Sequence, residues 1–255
     1  MSASGAPGEV WAIVVAAGAG ERLAADRPKA FVRLGGRTML AWSLSMLDDH
    51  ELIDGIVMVV PEEYEERASL LADDLCAMKI AAAVPGGATR PASVAAGLAC
   101  VPESAAYVLV HDAARPLVPP AVVDRVVAAL RGGAEGVVPA LPVADTVKRV
   151  GPDGSVAETL DRAALRAVQT PQGFPLATLR EALAGDHAGA TDCASMVERL
   201  GRAVVCVEGD ERAFKVTTPA DLDRAVRLAR QDDDVPGDDG DDGDHDHDHG
   251  GRGGA

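Results

Sequence analysis

The sequence predicts an α/β fold: a Rossmann-like, mostly parallel sheet with helices on both faces and an inserted β-hairpin arm. Three observations carry this expectation. Short β-branched runs alternate with longer segments of helical period, the order of strand, crossover helix, strand. The strand runs are apolar throughout, as strands covered on both faces must be. One stretch, residues 143–165, breaks the alternation with two short runs around Pro152-Asp153-Gly154.

Strands are predicted at residues 10–15, 56–60, 80–84, 107–110, 136–140 and 204–207. Between them, residues 38–47, 62–76, 90–100 and 119–130 place apolar side chains three or four apart, the helical period. Pro119 and Pro120 suit a helix start, and Gly132-Gly133 suits its end. In residues 143–165, Pro-Asp-Gly supplies the preset φ and the glycine of a reversing turn, so this stretch reads as a hairpin. A lone hairpin is marginal in water and needs something to pack on, a second subunit being the natural choice. Residues 175–183, 192–200 and 219–230 read as helices.

The chain has 255 residues, 47% of them apolar, enough for one domain over residues 1–230 with a real core. Residues 231–255 hold ten Asp, one Arg and almost nothing apolar, and are expected to form a disordered tail. His245, His247 and His249 alternate with Asp there, a pattern suited to solvation or to weak metal binding. Of the formal charge of −16, nine units fall in this tail and seven in the body. Neither nucleic acid nor a membrane is an expected partner, because both are polyanionic. Aromatic residues, at 3%, are too few for a base-stacking platform. Cys76, Cys100, Cys193 and Cys206 show no metal-binding spacing and read as reduced, mostly buried thiols of a cytoplasmic protein. The apolar stretch 10–17 is too short to span a bilayer.

Chemistry gathers after the strands, where open parallel sheets bind ligands. The first strand runs into Ala16-Ala17-Gly18-Ala19-Gly20-Glu21-Arg22-Leu23, followed by Pro28-Lys29. Small residues let the backbone approach a ligand and aim N–H groups at an anion, and two cations add fixed charge, which suits a triphosphate. A dinucleotide fingerprint would need glycine where Leu23 stands, and a P-loop would need Gly-Lys-Ser/Thr. Further on come Gly86-Gly87-Ala88-Thr89-Arg90-Pro91-Ala92-Ser93, His111-Asp112-Ala113-Ala114-Arg115-Pro116, Asp145-Thr146-Val147-Lys148, Thr170-Pro171-Gln172 and Lys215-Val216-Thr217. Arg90 and Ser93 suit either a ligand contact or the capping of the following helix, and Thr191-Asp192 suits a cap.

In combination these motifs resemble the sugar-type nucleotidyltransferases, and among them the 2-C-methyl-D-erythritol 4-phosphate cytidylyltransferase family, over about residues 10–230. The resemblance implies transfer of CMP from CTP to a polyol phosphate with release of pyrophosphate. Charge grows on the α-phosphate and the leaving group, so such catalysis needs placed cations more than a nucleophilic side chain. It implies that Arg22, Lys29 and Lys215 hold the phosphates, and that Ala16, Ala17, Gly18, Gly20, Gly87, Ser93 and Ala113 receive the nucleotide. Some relatives carry Asp where Ala88 stands, so a side-chain contact to the base is missing here. Asp112 is the expected ligand of Mg²⁺ and lies, with Arg115 and Thr170, at the acceptor site. Arg115 would pair with Asp112 or orient the loop, and Thr170 would donate to a phosphate or close the fold. The resemblance further implies a homodimer in which the arm crosses to the partner, bringing Thr146 and the catalytic Arg162 to the acceptor phosphate. Ribitol 5-phosphate is the alternative acceptor, and a non-catalytic nucleotide-binding module the alternative of another class.

Overall fold

A computed structural model describes residues 8–18, 23, 27–185 and 189–233. The order is β1 (Glu9–Val15), β2 (Arg33–Leu34), β3 (Arg37–Thr38), α1 (Met39–Asp48), β4 (Gly55–Val60), α2 (Glu65–Asp74), β5 (Ile80–Pro85), α3 (Arg90–Leu98) and β6 (Ala105–Asp112). There follow α4 (Pro120–Arg131), β7 (Val137–Pro142), β8 (Lys148–Val150), β9 (Val156–Thr159), β10 (Arg166–Val168), β11 (Gln172–Pro175), α5 (Leu176–Ala184), α6 (Cys193–Arg199), β12 (Val205–Glu208) and α7 (Pro219–Asp233). The predicted strands and helices are all present, and α7 runs past residue 230, where the body was expected to end.

Eight strands form the main sheet in the hydrogen-bonded order β10-β7-β11-β6-β1-β4-β5, with β12 also on β7. β1 pairs in parallel with β4 and β6, β4 with β5, and β12 with β7. β11 is antiparallel to β6 and β7, and β10 antiparallel to β7. Periodicity missed β10 and β11, because Pro171 and Gly173 interrupt a run too short to show alternation.

β1 shows how the two cores arise. Val10, Ala12 and Val14 face one layer with Leu40 and Leu44 of α1, while Ile13 faces the other with Val94 of α3 and Val110 of β6. Successive side chains of a strand point to opposite faces, and both faces here are roofed by helices. The arm is the reverse case. β8 and β9 pair antiparallel around a turn in which Gly154 takes a φ of +79°, and every residue of both strands is exposed. Cysteine burial departs from expectation: Cys193 is buried, but Cys76, Cys100 and Cys206 are exposed and no disulfide links the four. Cys76 and Cys100 lie just beyond the ends of α2 and α3, and Cys206 lies on β12, which pairs with β7 alone.

The link between β10 and β11 ties three distant segments together. Gln169 receives the Asp210 N–H on Oε1 at 3.0 Å and donates from Nε2 to the Asp210 carbonyl at 2.7 Å. Thr170 Oγ1 accepts the Asp112 N–H at 3.1 Å and lies 3.1 Å from His111 Nδ1. Gln172 Nε2 donates to Asp192 Oδ2 at 2.8 Å, while its Oε1 accepts the Ala194 N–H at 3.3 Å. Asp192 in turn caps α6 through the Ser195 N–H at 2.9 Å, the role expected of a residue at that place.

His111 is fully buried, and burial pushes its imidazole down to about 4. A group held neutral in this way contributes stability that is complete above its ordinary value of 6.5 and is lost as the pH falls toward 4. Thermal unfolding of the parent and of His111→Asn between pH 7 and pH 4 checks this. The parent's Tm advantage narrows as the pH falls through that window; a constant gap would place the acid sensitivity on other groups.

Candidate active site

β1, β5 and β6 end at the same edge of the sheet, and a cavity of about 490 Å³ opens there. Its walls are Val15–Gly18, Lys29, Ala30, residues 87–90, Ser93, residues 112–114 and Lys215. Small side chains dominate because segments meet closely: a Cβ on Gly86 would sit 2.3 Å from the Ala17 Cβ. Ser93, on the first turn of α3, accepts the Gly87 N–H at 3.1 Å and so fixes the loop after β5. Thr89 is the residue that caps α3, accepting the Ala92 N–H at 3.3 Å, which leaves Arg90 for another task.

That task is at Asp112, the last residue of β6. Its Oδ1 accepts Arg90 Nη2 at 3.1 Å and its Oδ2 accepts Lys215 Nζ at 2.8 Å. The carboxylate is buried. Burial opposes its ionisation, but the Arg90 guanidinium and the Lys215 ammonium outweigh that cost and hold it well below the usual carboxylate range. Arg90 also donates from Nη1 to Cys193 Sγ at 3.4 Å, and burial pushes that thiol up to about 11. Lys215 is brought in from the loop before α7. The Val216 N–H donates to the Ala114 carbonyl at 2.8 Å, and Asp221 Oδ2 accepts the N–H groups of Thr217 and Thr218.

Of the residues expected from sequence, Ala16, Ala17, Gly18, Lys29, Gly87, Ser93, Asp112, Ala113 and Lys215 meet around this one cavity. Gly20 and Arg22 lie outside the described residues. Arg115 is not on Asp112: it donates to the carbonyls of Ala213 at 2.7 Å and Val168 at 3.2 Å, so it orients the loop, the second of its two expected roles. Thr170 lies beneath the site, 3% exposed, and closes the fold. Thr146 and Arg162 are exposed on the arm and do not line the cavity of their own chain; Arg162 Nη1 donates to the Ala144 carbonyl.

Arg90 is the residue that sequence reasoning left undecided. A cation at the first residue of α3, directly after the glycine loop, was the available signal, and only the fold shows that it reaches the end of β6. The described residues hold no group of three or more His, Cys, Asp or Glu suited to a metal ion. No helix among them is long and apolar enough to cross a membrane.

The comparisons with known proteins agree with one another. The family model IspD, 2-C-methyl-D-erythritol 4-phosphate cytidylyltransferase, matches residues 10–231. The 2-C-methyl-D-erythritol 4-phosphate cytidylyltransferase of Nocardia farcinica is 52% identical over 221 residues, covering 87% of this chain and 94% of its own. The crystal structure of the enzyme of that name from Thermus thermophilus superposes with a TM-score of 0.70 at 40% identity, over 87% of this chain and 99% of its own. The 4-diphosphocytidyl-2C-methyl-D-erythritol synthase of Anaerococcus prevotii reaches a TM-score of 0.77 at 27% identity, over 88% of this chain and 99% of its own. Matching the family model over residues 10–231 and sharing the sequence and fold of these proteins, the chain belongs to the 2-C-methyl-D-erythritol 4-phosphate cytidylyltransferase family.

Proposed function

We propose that this chain transfers CMP from CTP to 2-C-methyl-D-erythritol 4-phosphate, giving 4-diphosphocytidyl-2-C-methyl-D-erythritol and pyrophosphate on the route to isoprenoid precursors. The observation that carries this reading is the buried Asp112 carboxylate between Arg90 and Lys215, at the floor of a cavity walled by small residues. An acceptor phosphate oxygen attacks the α-phosphorus and pyrophosphate leaves in line, so the work falls to cations held where charge grows. Lys29 and Lys215 stand on two walls of the cavity for that purpose, with Arg22 assigned beside them from the family pattern. Ala16, Ala17 and Gly18 leave space for a base to lie against the backbone. Gly87, Ser93 and Ala113 offer the same toward base and ribose, Ser93 through the loop it fixes. The acceptor is already an anion near neutral pH, so no strong general base is needed.

Mg²⁺ is the cofactor this site fits. Asp112 offers a hard oxygen that stays ionised, and without a further acidic cluster in the described residues the other ligands come from triphosphate oxygens and water, the mode Mg²⁺ favours. When bound, the ion supplies fixed positive charge against the developing phosphate charge.

A homodimer completes the acceptor pocket. Val150 and Val156 are cross-strand partners on the arm, 59% and 60% exposed, an apolar pair that finds cover on a second copy. The same arm carries Thr146 and Arg162, which the fold leaves away from their own cavity and free to serve the partner's acceptor phosphate. The reaction belongs to the cytoplasm, and His245, His247, His249 and their Asp neighbours serve solubility.

Pyrophosphate release with CTP and either 2-C-methyl-D-erythritol 4-phosphate or ribitol 5-phosphate tests the acceptor; faster turnover of ribitol 5-phosphate would overturn the assignment. Lys29→Ala lowers kcat by about a hundredfold or more while circular dichroism stays unchanged. Val150→Asp combined with Val156→Asp converts the dimer to a monomer in analytical ultracentrifugation and removes activity. A fully active monomer would refute the role of the arm.

A further inference from the structure

The two cations on Asp112 are held in very different ways. Arg90 is fixed at both ends of its fork, Nη2 on Asp112 Oδ1 and Nη1 on Cys193 Sγ, with its stem in the first turn of α3 and its side chain 23% exposed. Lys215 reaches Asp112 Oδ2 as a single point charge on a flexible stem, from a loop, with its side chain 43% exposed. One carboxylate thus carries two positive charges, an excess that favours the arrival of an anion. A divalent cation coming to the same carboxylate meets repulsion from both, which is relieved if one of them moves away. Arg90 could leave only by giving up Cys193 as well, whereas Lys215 can swing away by rotating its own side chain.

We propose that the Lys215 ammonium is a placeholder for the divalent cation. In the nucleotide-free chain it neutralises Asp112 Oδ2; as nucleotide and cation arrive it moves onto the phosphates and yields that oxygen, while Arg90 keeps Oδ1. Arg90 is therefore a positioning residue that holds the carboxylate in place through the exchange. The inference rests on the reading of Asp112 as a metal ligand. It makes metal affinity low without nucleotide and ties the binding of the two together.

Mn²⁺ titration of the nucleotide-free protein, followed by the electron paramagnetic resonance of the free ion, tests it. The proteins compared are the parent, Lys215→Met, Lys215→Gln, Arg90→Met and the double variant Lys215→Met with Asp112→Asn, each shown by circular dichroism to be folded. Both Lys215 variants bind Mn²⁺ about tenfold more tightly than the parent, the size expected for removing one partly exposed competing charge. Asp112→Asn abolishes the gain, and Arg90→Met does not reproduce it. Lys215 variants that bind as weakly as the parent overturn the proposal, as does an equal gain in Arg90→Met. If Asp112→Asn also binds Mn²⁺ with CTP as well as the parent does, the metal reading falls with it; if it binds more weakly, that reading stands without the placeholder.

Discussion

A carboxylate placed where water hardly reaches must be neutralised by neighbours, and the three segments that meet at Asp112 are arranged around that need. Removing a charge from water costs several kcal/mol unless partners replace the lost hydration. Here β6 delivers the carboxylate, α3 delivers Arg90 and the loop before α7 delivers Lys215. The small residues at the end of β1 and the glycines after β5 leave room above them. The cavity is the space enclosed by elements that have to converge for the sake of one ion.

The backbone below that ion is equally constrained. Gln169, Thr170 and Gln172 each satisfy polar groups on a different segment: the loop at Asp210, the end of β6, and the start of α6. Their side chains add to the main-chain pairing that Gln169 keeps with Pro139 and Gln172 keeps with Val110. A short polar stretch can organise three distant parts of a chain because buried polar groups are costly to leave unpaired.

Much of this was legible in the sequence. Apolar runs such as residues 56–60 carry their own signal, since β4 is buried on both faces and contains nothing polar. The glycine loops and the Asp112 motif carried the residue types that phosphate chemistry requires, and the fold gathers them around one cavity. What stayed hidden depended on distance in three dimensions. Arg90 and Asp112 lie in separate motifs, so neither one discloses that they pair. Thr170 reads equally as a phosphate donor or as a residue that closes the fold, and only the structure puts its hydroxyl between a backbone N–H and an imidazole. For Arg115 the sequence left pairing with Asp112 and orienting the loop both open, and it is the carbonyls of Val168 and Ala213 within its reach that favour the second. β10 and β11 escaped notice because antiparallel pairing across a proline leaves no period to count.

The arm and the carboxylate also turn out to share one ladder. Arg166 of β10 pairs with Pro142 of β7 at the root of the arm, and the register runs on through Val168 opposite Ala140. Next in line the Gln169 N–H donates to the Pro139 carbonyl, and the residue after it is Thr170, which holds the Asp112 backbone. The root of the arm and the Asp112 backbone therefore stand at the two ends of one short hydrogen-bonded run of chain, from Arg166 to Thr170.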